Sequence, residues 1–426
     1  MTGATSEHGG LRHAALLQRL ACESPETALQ ARFAQGAFLV LRLVDVLDPR
    51  HPSAQAEAFR YQHAATEKFC RELPADDPET SHLAGLARGT RDALQERDVR
   101  LVIPALLAYA HFLEDELRLE EALDVLGTLL DVGVDRLGSG DAIAVRLRIG
   151  RVNRKLNRFD DGDAAYAAAA ELAEVAGDAH SALLSRIGRA ISTQARGNLG
   201  EAERILHELS TDAQAAGERD IEARAQHTLG TTLLLRGQVA EGIPHVWHAV
   251  ELYEEESSRI RALGDLGVML LAVGEAAGAE RALLEVVRRG HTMQDVVSNA
   301  MVELMHCASY ARDRLNFERW RAACQTREPN MPPNILADFY LKMAIGQARF
   351  GRFPNAEELM DNALTVAKSA GLHELVFRIE RIDHGLRGCE ADACAFWDAA
   401  AEPVQCSDVV REVSASLDQL GDAWRA

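Results

Sequence analysis

Apolar residues along this chain recur three and four positions apart, and no stretch sustains the alternation of a half-buried strand. Helices are therefore expected throughout. The pattern also repeats on a longer scale. NRFDDGDAAYAAAAELAEVAGD from Asn157, GNLGEAERILHELSTDAQAAGE from Gly197, GQVAEGIPHVWHAVEL from Gly237 and GRFPNAEELMDNALTVAKSAGL from Gly351 each read as a turn, an apolar residue, two or three polar ones, a small residue and an amphipathic helix. The small residue falls at Ala122, Gly162, Ala202, Gly242, Ala279 and Ala356, with Trp320 in its place in one unit, at spacings of 40, 40, 40, 37, 41 and 36 residues.

A second column supports the register. Twelve residues before each anchor stand Ala110, Gly150, Ala190, Gly230, Gly267, Ala308 and Ala344, all Ala or Gly. Side chains without bulk at one point on each of two consecutive helices let the helices approach and cross. Gly197, Gly237, Gly274 and Gly351 lie five residues before their anchors, where one helix must end in a left-handed residue, and Gly177, Gly217 and Gly371 close the second helix. An ordinary Ala-rich bundle would not require a fixed period of small residues.

These columns resemble the tetratricopeptide repeat (TPR), with small residues at the eighth and twentieth positions and Gly or Asn near the fifteenth. The match covers residues 103–370, about seven units. The period exceeds the usual ~34 residues, so the chain is similar to the longer-helix arrays of bacterial regulators and signalling-peptide receptors. The resemblance implies an all-α fold, a right-handed α-α superhelix of helix-turn-helix repeats. The consensus Trp of the first helix and the terminal Pro are missing. The 301–336 unit, with Trp320 and then EPNMPPN, is irregular, and a bend or break is expected there.

Outside the repeats, residues 1–20 are expected to be a flexible N-terminus and 21–102 a helical cap or degenerate repeats. Within the latter, a helix pair spans 27–73, and further helices run at about 81–96 and 100–115, with Thr80 or Ser81 as N-cap. Residues 371–426 are expected to be capping helices, because a terminal repeat otherwise exposes its stacking face. The final helix could instead dock on another chain, which would allow a homodimer.

The net charge of −19 disfavours general nucleic-acid binding and anionic membranes. No run of 18 apolar residues occurs, and the opening MTGATSEHGG lacks the features of a secretory leader. Seven cysteines form no framework, so a cytoplasmic location is expected. No phosphate-binding, zinc-protease or serine-nucleophile motif is present, which argues against an enzyme and against a cofactor. His384, Cys389, Cys394 and Cys406 are types that suit zinc, but the spacing is unfamiliar and core packing is the simpler reading, so no metal is expected. His306, Cys307, His245 and Trp247 also read as packing.

In TPR arrays the first helix of each pair lines a concave surface. Carried over position by position, the resemblance puts Leu147, Arg151, Arg154 and Lys155 on that wall, then Ile187, Ile191 and Gln194, then Arg224, His227 and Thr231, then Arg261, Gly264 and Val268. DAIAVRLRIGRVNRKLNRFD holds six basic residues against two acidic ones. That excess suits an acidic peptide, a carboxylate terminus or a phosphorylated segment, which arginine can grip with two parallel hydrogen bonds. Similarity to carboxylate-clamp TPRs is partial, because Arg151 replaces their Asn. The competing reading is that these cations neutralise acids on neighbouring helices. His227 brings a group able to change charge near neutral pH. The expected function is a non-catalytic protein- or peptide-binding scaffold. The alternative is a sensor of a small ligand or signalling peptide that changes shape or oligomeric state. LRHAALLQRLACESPETALQARF, the only segment where a DNA-reading helix-turn-helix could sit, lacks a basic recognition helix.

Overall fold

The computed structural model describes residues 12–20, 28–47, 56–133, 136–391 and 407–423, and these are helical apart from turns and two short 3-10 segments. The helices are α1 (Ala14–Leu20), α2 (Ala28–Asp45), α3 (Ala56–Arg71), α4 (Pro78–Glu96), α5 (Ile103–Asp115), α6 (Leu119–Val132), α7 (Ser139–Lys155), α8 (Phe159–Ala176), α9 (Ala179–Ala195) and α10 (Leu199–Ala216). They continue as α11 (Arg219–Leu235), α12 (Val239–Leu252), α13 (Glu256–Ala272), α14 (Ala276–Arg289), α15 (Gln294–Tyr310), α16 (Arg314–Gln325), α17 (Pro333–Arg349), α18 (Phe353–Ser369), α19 (His373–Ala391) and α20 (Asp408–Ala423). Two compact units divide the chain after Ser192, within α9.

Helix pairs recur on one beat. The second helices α6, α8, α10, α12, α14, α16 and α18 begin at intervals of 40, 40, 40, 37, 38 and 39 residues. Ala122, Gly162, Ala202, Gly242, Ala279 and Ala356 all sit on the fourth residue of such a helix and are buried. In α16 that place belongs to Phe317, three residues before the Trp320 that the spacing suggests. A bulky ring fits there because the next first helix answers with Gly346: a Cβ on it would lie 2.2 Å from Phe317 Cε2. Phe317, Met305, Phe339 and Met343 share one core across α15, α16 and α17, so stacking continues where a break was expected.

Position fifteen gives the same register. Leu117, Asn157, Gly197, Gly237, Gly274, Arg312 and Gly351 all have positive φ, between 58° and 83°. Four are glycine, and the other three tolerate the left-handed turn because the helix-ending geometry is fixed on both sides. Close approach explains the second column: a Cβ on Gly230 would lie 2.8 Å from the Gly242 carbonyl oxygen and 2.3 Å from Val246 Cγ2. The Tyr166 ring likewise fills the space left by both Gly150 and Gly188.

The ends depart from expectation. Within the segment expected to be flexible, residues 12–20 are packed: Leu16 is buried and α1 lies against α2 and α6. His13, itself buried, holds Asp124 at 3.0 Å and Asp45 at 3.2 Å. The cap of α4 is Asp77, whose Oδ1 accepts from the Glu79 N–H at 2.8 Å, rather than Thr80 or Ser81. At the far end α19 stacks on α17 and α18. By contrast, α20 does not cap the array; it folds back onto α12 and α14 with Val410, Val413 and Leu417 buried. Cys394 and Cys406 of the zinc candidate lie outside the described residues, and His384 is exposed on α19. Cys70, Cys307 and Cys324 are buried free thiols, and burial pushes Cys307 up to about 12.

Candidate binding faces on the first helices

Polar contacts about one repeat apart join α5 to α7, α9 to α11, α11 to α13 and α15 to α17. In the first unit, α5 carries Glu114 on the same stripe as its buried residues Leu106, Ala110 and Leu113. Its side chain has no solvent exposure, yet three cations of α7 reach it: Arg148 at 2.9 Å, Arg151 at 2.5 Å and Lys155 at 2.9 Å. Spaced three and four residues apart, they share one face of α7. Burial alone would raise the Glu114 pKa, but the Lys155 hydrogen bond and the charges of Arg151, Lys155 and Arg148 hold it below the usual carboxylate value.

The cations are not consumed by this contact. Arg151 keeps 50% side-chain exposure, Lys155 30% and Arg148 24%, and one carboxylate cannot neutralise three positive charges. Beside them, Leu107, Ala108, His111, Ala144 and Arg148 line a cleft between α5 and α7 with a largely apolar floor. Arg148 and Glu114 were not picked out from the sequence. Of the other expected residues, Arg154 is taken by Tyr166 of α8. Leu147 packs at the edge of the Ile143, Ala169 and Ala173 cluster. Ile187 is buried, and Ile191 is half-buried.

The second unit brings together a different set. Gln194 Nε2 donates to Thr232 Oγ1 at 2.9 Å and to Thr231 Oγ1 at 3.4 Å. His227 Nε2 lies 2.8 Å from Asp265 Oδ2, and its other nitrogen faces the Tyr253 hydroxyl at 3.3 Å. Arg224 pairs with Asp220 on its own helix at 2.7 Å. Arg261 is exposed and, with Asp265, Asp295, Asn299 and Asn334, lines a polar cleft across α13, α15 and α17; Gly264 forms part of it, and Val268 is half-buried nearby on α13. Further along, Lys342 is buried between Glu303 and Asp338, and Asp338 also accepts from Arg378 at 2.9 Å. Burial works against the Lys342 charge, but the two carboxylates outweigh it and raise its pKa.

Helix pairs on a beat of about 40 residues and left-handed turns at one fixed position define a repeat architecture. The fold is that of a TPR-like solenoid. Solved structures share it. The Rap conjugation gene regulator of plasmid pLS20, solved with the Phr* peptide, superposes with TM-score 0.51 at 11% identity, over 82% of this chain and 96% of its own. The apo quorum sensor NprR from B. thuringiensis gives TM-score 0.51 at 12% identity, over 83% of this chain and 97% of its own. No family model matches the sequence, and no curated protein sequence matches it. Among the described residues of this TPR-like array, no helix is long and apolar enough to cross a membrane, and no group of three or more His, Cys, Asp or Glu is placed to hold a metal.

Proposed function

We propose that this chain is a non-catalytic, cytoplasmic regulatory scaffold that holds an extended peptide or protein segment on its first-helix faces without a cofactor. The observation that carries the reading is the Glu114 cluster: three partly exposed cations beside an apolar cleft, in a chain of net charge −19. A positive rim next to an apolar floor suits an acidic segment with aliphatic residues, or a free carboxylate terminus. Shared fold with a regulator solved in complex with a peptide and with a quorum sensor supports the same reading. The competing view, that the cations only neutralise an acid, accounts for Glu114 but leaves two positive charges in excess.

Fluorescence anisotropy with a labelled Asp- and Leu-rich decapeptide tests this. Arg151→Gln with Lys155→Gln is expected to weaken binding about tenfold, with wild-type affinity falling as salt rises. Equal binding of a Lys-rich decapeptide, or no effect of the double variant, would overturn the assignment.

A second reading rests on the Arg261 cleft. Its mixed charge, with Asp265, Asp295, Asn299 and Asn334, suits a small zwitterionic ligand or a short signalling peptide whose binding changes shape or oligomeric state.

A further inference from the structure

Several half-buried arginines of this chain meet a carboxylate. Arg118 lies 2.7 Å from Glu79, Arg148 2.9 Å from Glu114 and Arg289 2.5 Å from Glu256. Arg349, the half-buried last residue of α17, departs from that pattern: among the described residues no carboxylate pairs with it. One of its N–H groups donates to Ser309 Oγ at 2.8 Å, and its guanidinium stands 5.4 Å from the centre of the Tyr310 ring. Its backbone carbonyl accepts from Arg312. Burial and the Arg312 charge outweigh Tyr310 and pull the Arg349 pKa down to about 10. The carbonyls at the end of α17 offer about half a negative charge at most.

A second group beside it is also unmatched. His306 is half-buried, and its Nδ1 is shut off from solvent without a hydrogen-bond partner. Burial, then the charges of Arg349, Lys342 and Arg378, hold the imidazole neutral by driving its pKa well below the usual value. A buried lone pair is less costly to leave unpaired than a buried N–H, which puts the ring proton on Nε2. Of the three cations acting on His306, Lys342 pairs with Glu303 and Asp338, and Arg378 with Asp338. Three positive charges against two carboxylates leave one over, and it is that of Arg349.

The backbone sets these groups side by side. His306, Ser309 and Tyr310, three and four residues apart, share one face of α15. The buried Ser309 hydroxyl donates to the His306 carbonyl at 2.8 Å while accepting from Arg349. Gly274, in the turn after α13, leaves room for the Tyr310 hydroxyl, which would lie 3.3 Å from a Cβ at that position. The result is a cation, an imidazole and a phenol on two adjoining helices, each partly open to solvent.

We propose that His306, Tyr310 and Arg349 form a binding site for a phosphate monoester group, carried by a small molecule or by a phosphorylated residue. Arg349 supplies the charge and a bidentate fork, His306 Nε2 and the Tyr310 hydroxyl supply further donors, and Ser309 positions Arg349. Donors from two helices outnumber the oxygens of a carboxylate and suit a group that has more. The incoming charge also relieves the repulsion between Arg349 and Arg312. This site lies within the second unit and does not depend on what the Glu114 cluster binds.

Calorimetric titration of the full chain with inorganic phosphate, at neutral pH and low salt, is the test. Saturable binding is expected, weakened at least roughly tenfold by Arg349→Gln and less by Arg349→Lys, which keeps the charge but loses the fork. Acetate should bind at least roughly tenfold more weakly than phosphate. Arg151→Gln with Lys155→Gln should leave the Arg349-dependent part unchanged, so failure of the peptide reading shows separately. Wild-type histidine NMR needs no variant to fold, and there the His306 signal should move and saturate with phosphate. No saturable binding, equal binding by Arg349→Gln, an unmoved His306 signal, or acetate bound as tightly as phosphate would each overturn the proposal. Glycerol phosphate and a phosphoserine decapeptide complete the set. Whichever binds more tightly through Arg349 names the carrier, and both binding more weakly than inorganic phosphate would overturn the assignment to an ester.

Discussion

Two buried ionic clusters sit on equivalent layers of the two units, with opposite polarity. In the first unit one buried carboxylate, Glu114, is gripped by three cations that remain 24% to 50% exposed. In the second unit one buried ammonium, Lys342, is gripped by two carboxylates, and side-chain exposure in that trio stays between 6% and 14%. The Lys342 cluster is a sealed joint between α15 and α17. The Glu114 cluster is a joint on one side and an open surface on the other. The two clusters thus differ in whether the partners are buried with the central ion or stay partly open to solvent.

Breaking the sealed joint should have the largest effect. Lys342→Met leaves Glu303 buried beside Asp338 without its counter-ion, and a loss of about 3–5 kcal/mol is expected in urea unfolding. Peptide binding in the first unit should not change.

A third buried cluster extends the comparison. Burial alone would lower the His13 pKa, but hydrogen bonds to Asp124 and Asp45 outweigh it and raise it to about 9. A raised histidine gives stability that is fully present below pH 6.5 and lost as pH climbs through about 9. His13→Gln should remove that slope, a difference of up to about 3 kcal/mol at the acid end of the window. Unfolding curves for the two proteins that run parallel from pH 6 to 10 would count against an ionised His13.

Removing the open cluster's anion should cost less. Glu114→Gln frees cations that water can already reach, so about 1–3 kcal/mol is expected. Because the Glu114 pKa is depressed, its contribution is present above about pH 4.5 and fades as pH falls through the lower folded value. The variant should therefore lose less stability than wild type on acidification below that point, as thermal melts would show. Leu117→Gly should have the smallest effect. It relieves a left-handed residue at φ 58° but adds freedom to the unfolded chain, so a net gain below about 1 kcal/mol is expected in the same melts.

Much of this architecture was legible because its causes are local. A glycine at a left-handed turn and an alanine at a crossing point each have one short-range reason, so Gly197, Gly237 and Ala202 mark their places in the sequence. The 301–336 unit misled for the same reason. The spacing of small residues points to Trp320, whereas Phe317 holds the position and Gly346, on the following helix, supplies the missing space. Such compensation between repeats leaves no mark in either one alone. Glu114 offered a signal, since it continues the buried stripe of α5. Its pairing with Arg148, Arg151 and Lys155 required knowing which helices touch. The apolar stripe of α20 announced that the helix docks, but amphipathicity carries no address, and its seat on α12 and α14 came only from the structure.

The recognition proposed for the open cluster is tested most directly by the affinity of the Asp- and Leu-rich decapeptide for the folded Glu114→Gln chain. Removing the buried negative charge while leaving Arg148, Arg151 and Lys155 in place should tighten binding roughly threefold to tenfold at low salt, with a steeper salt dependence. Unchanged or weakened affinity in that variant would mean that the three cations serve Glu114 alone.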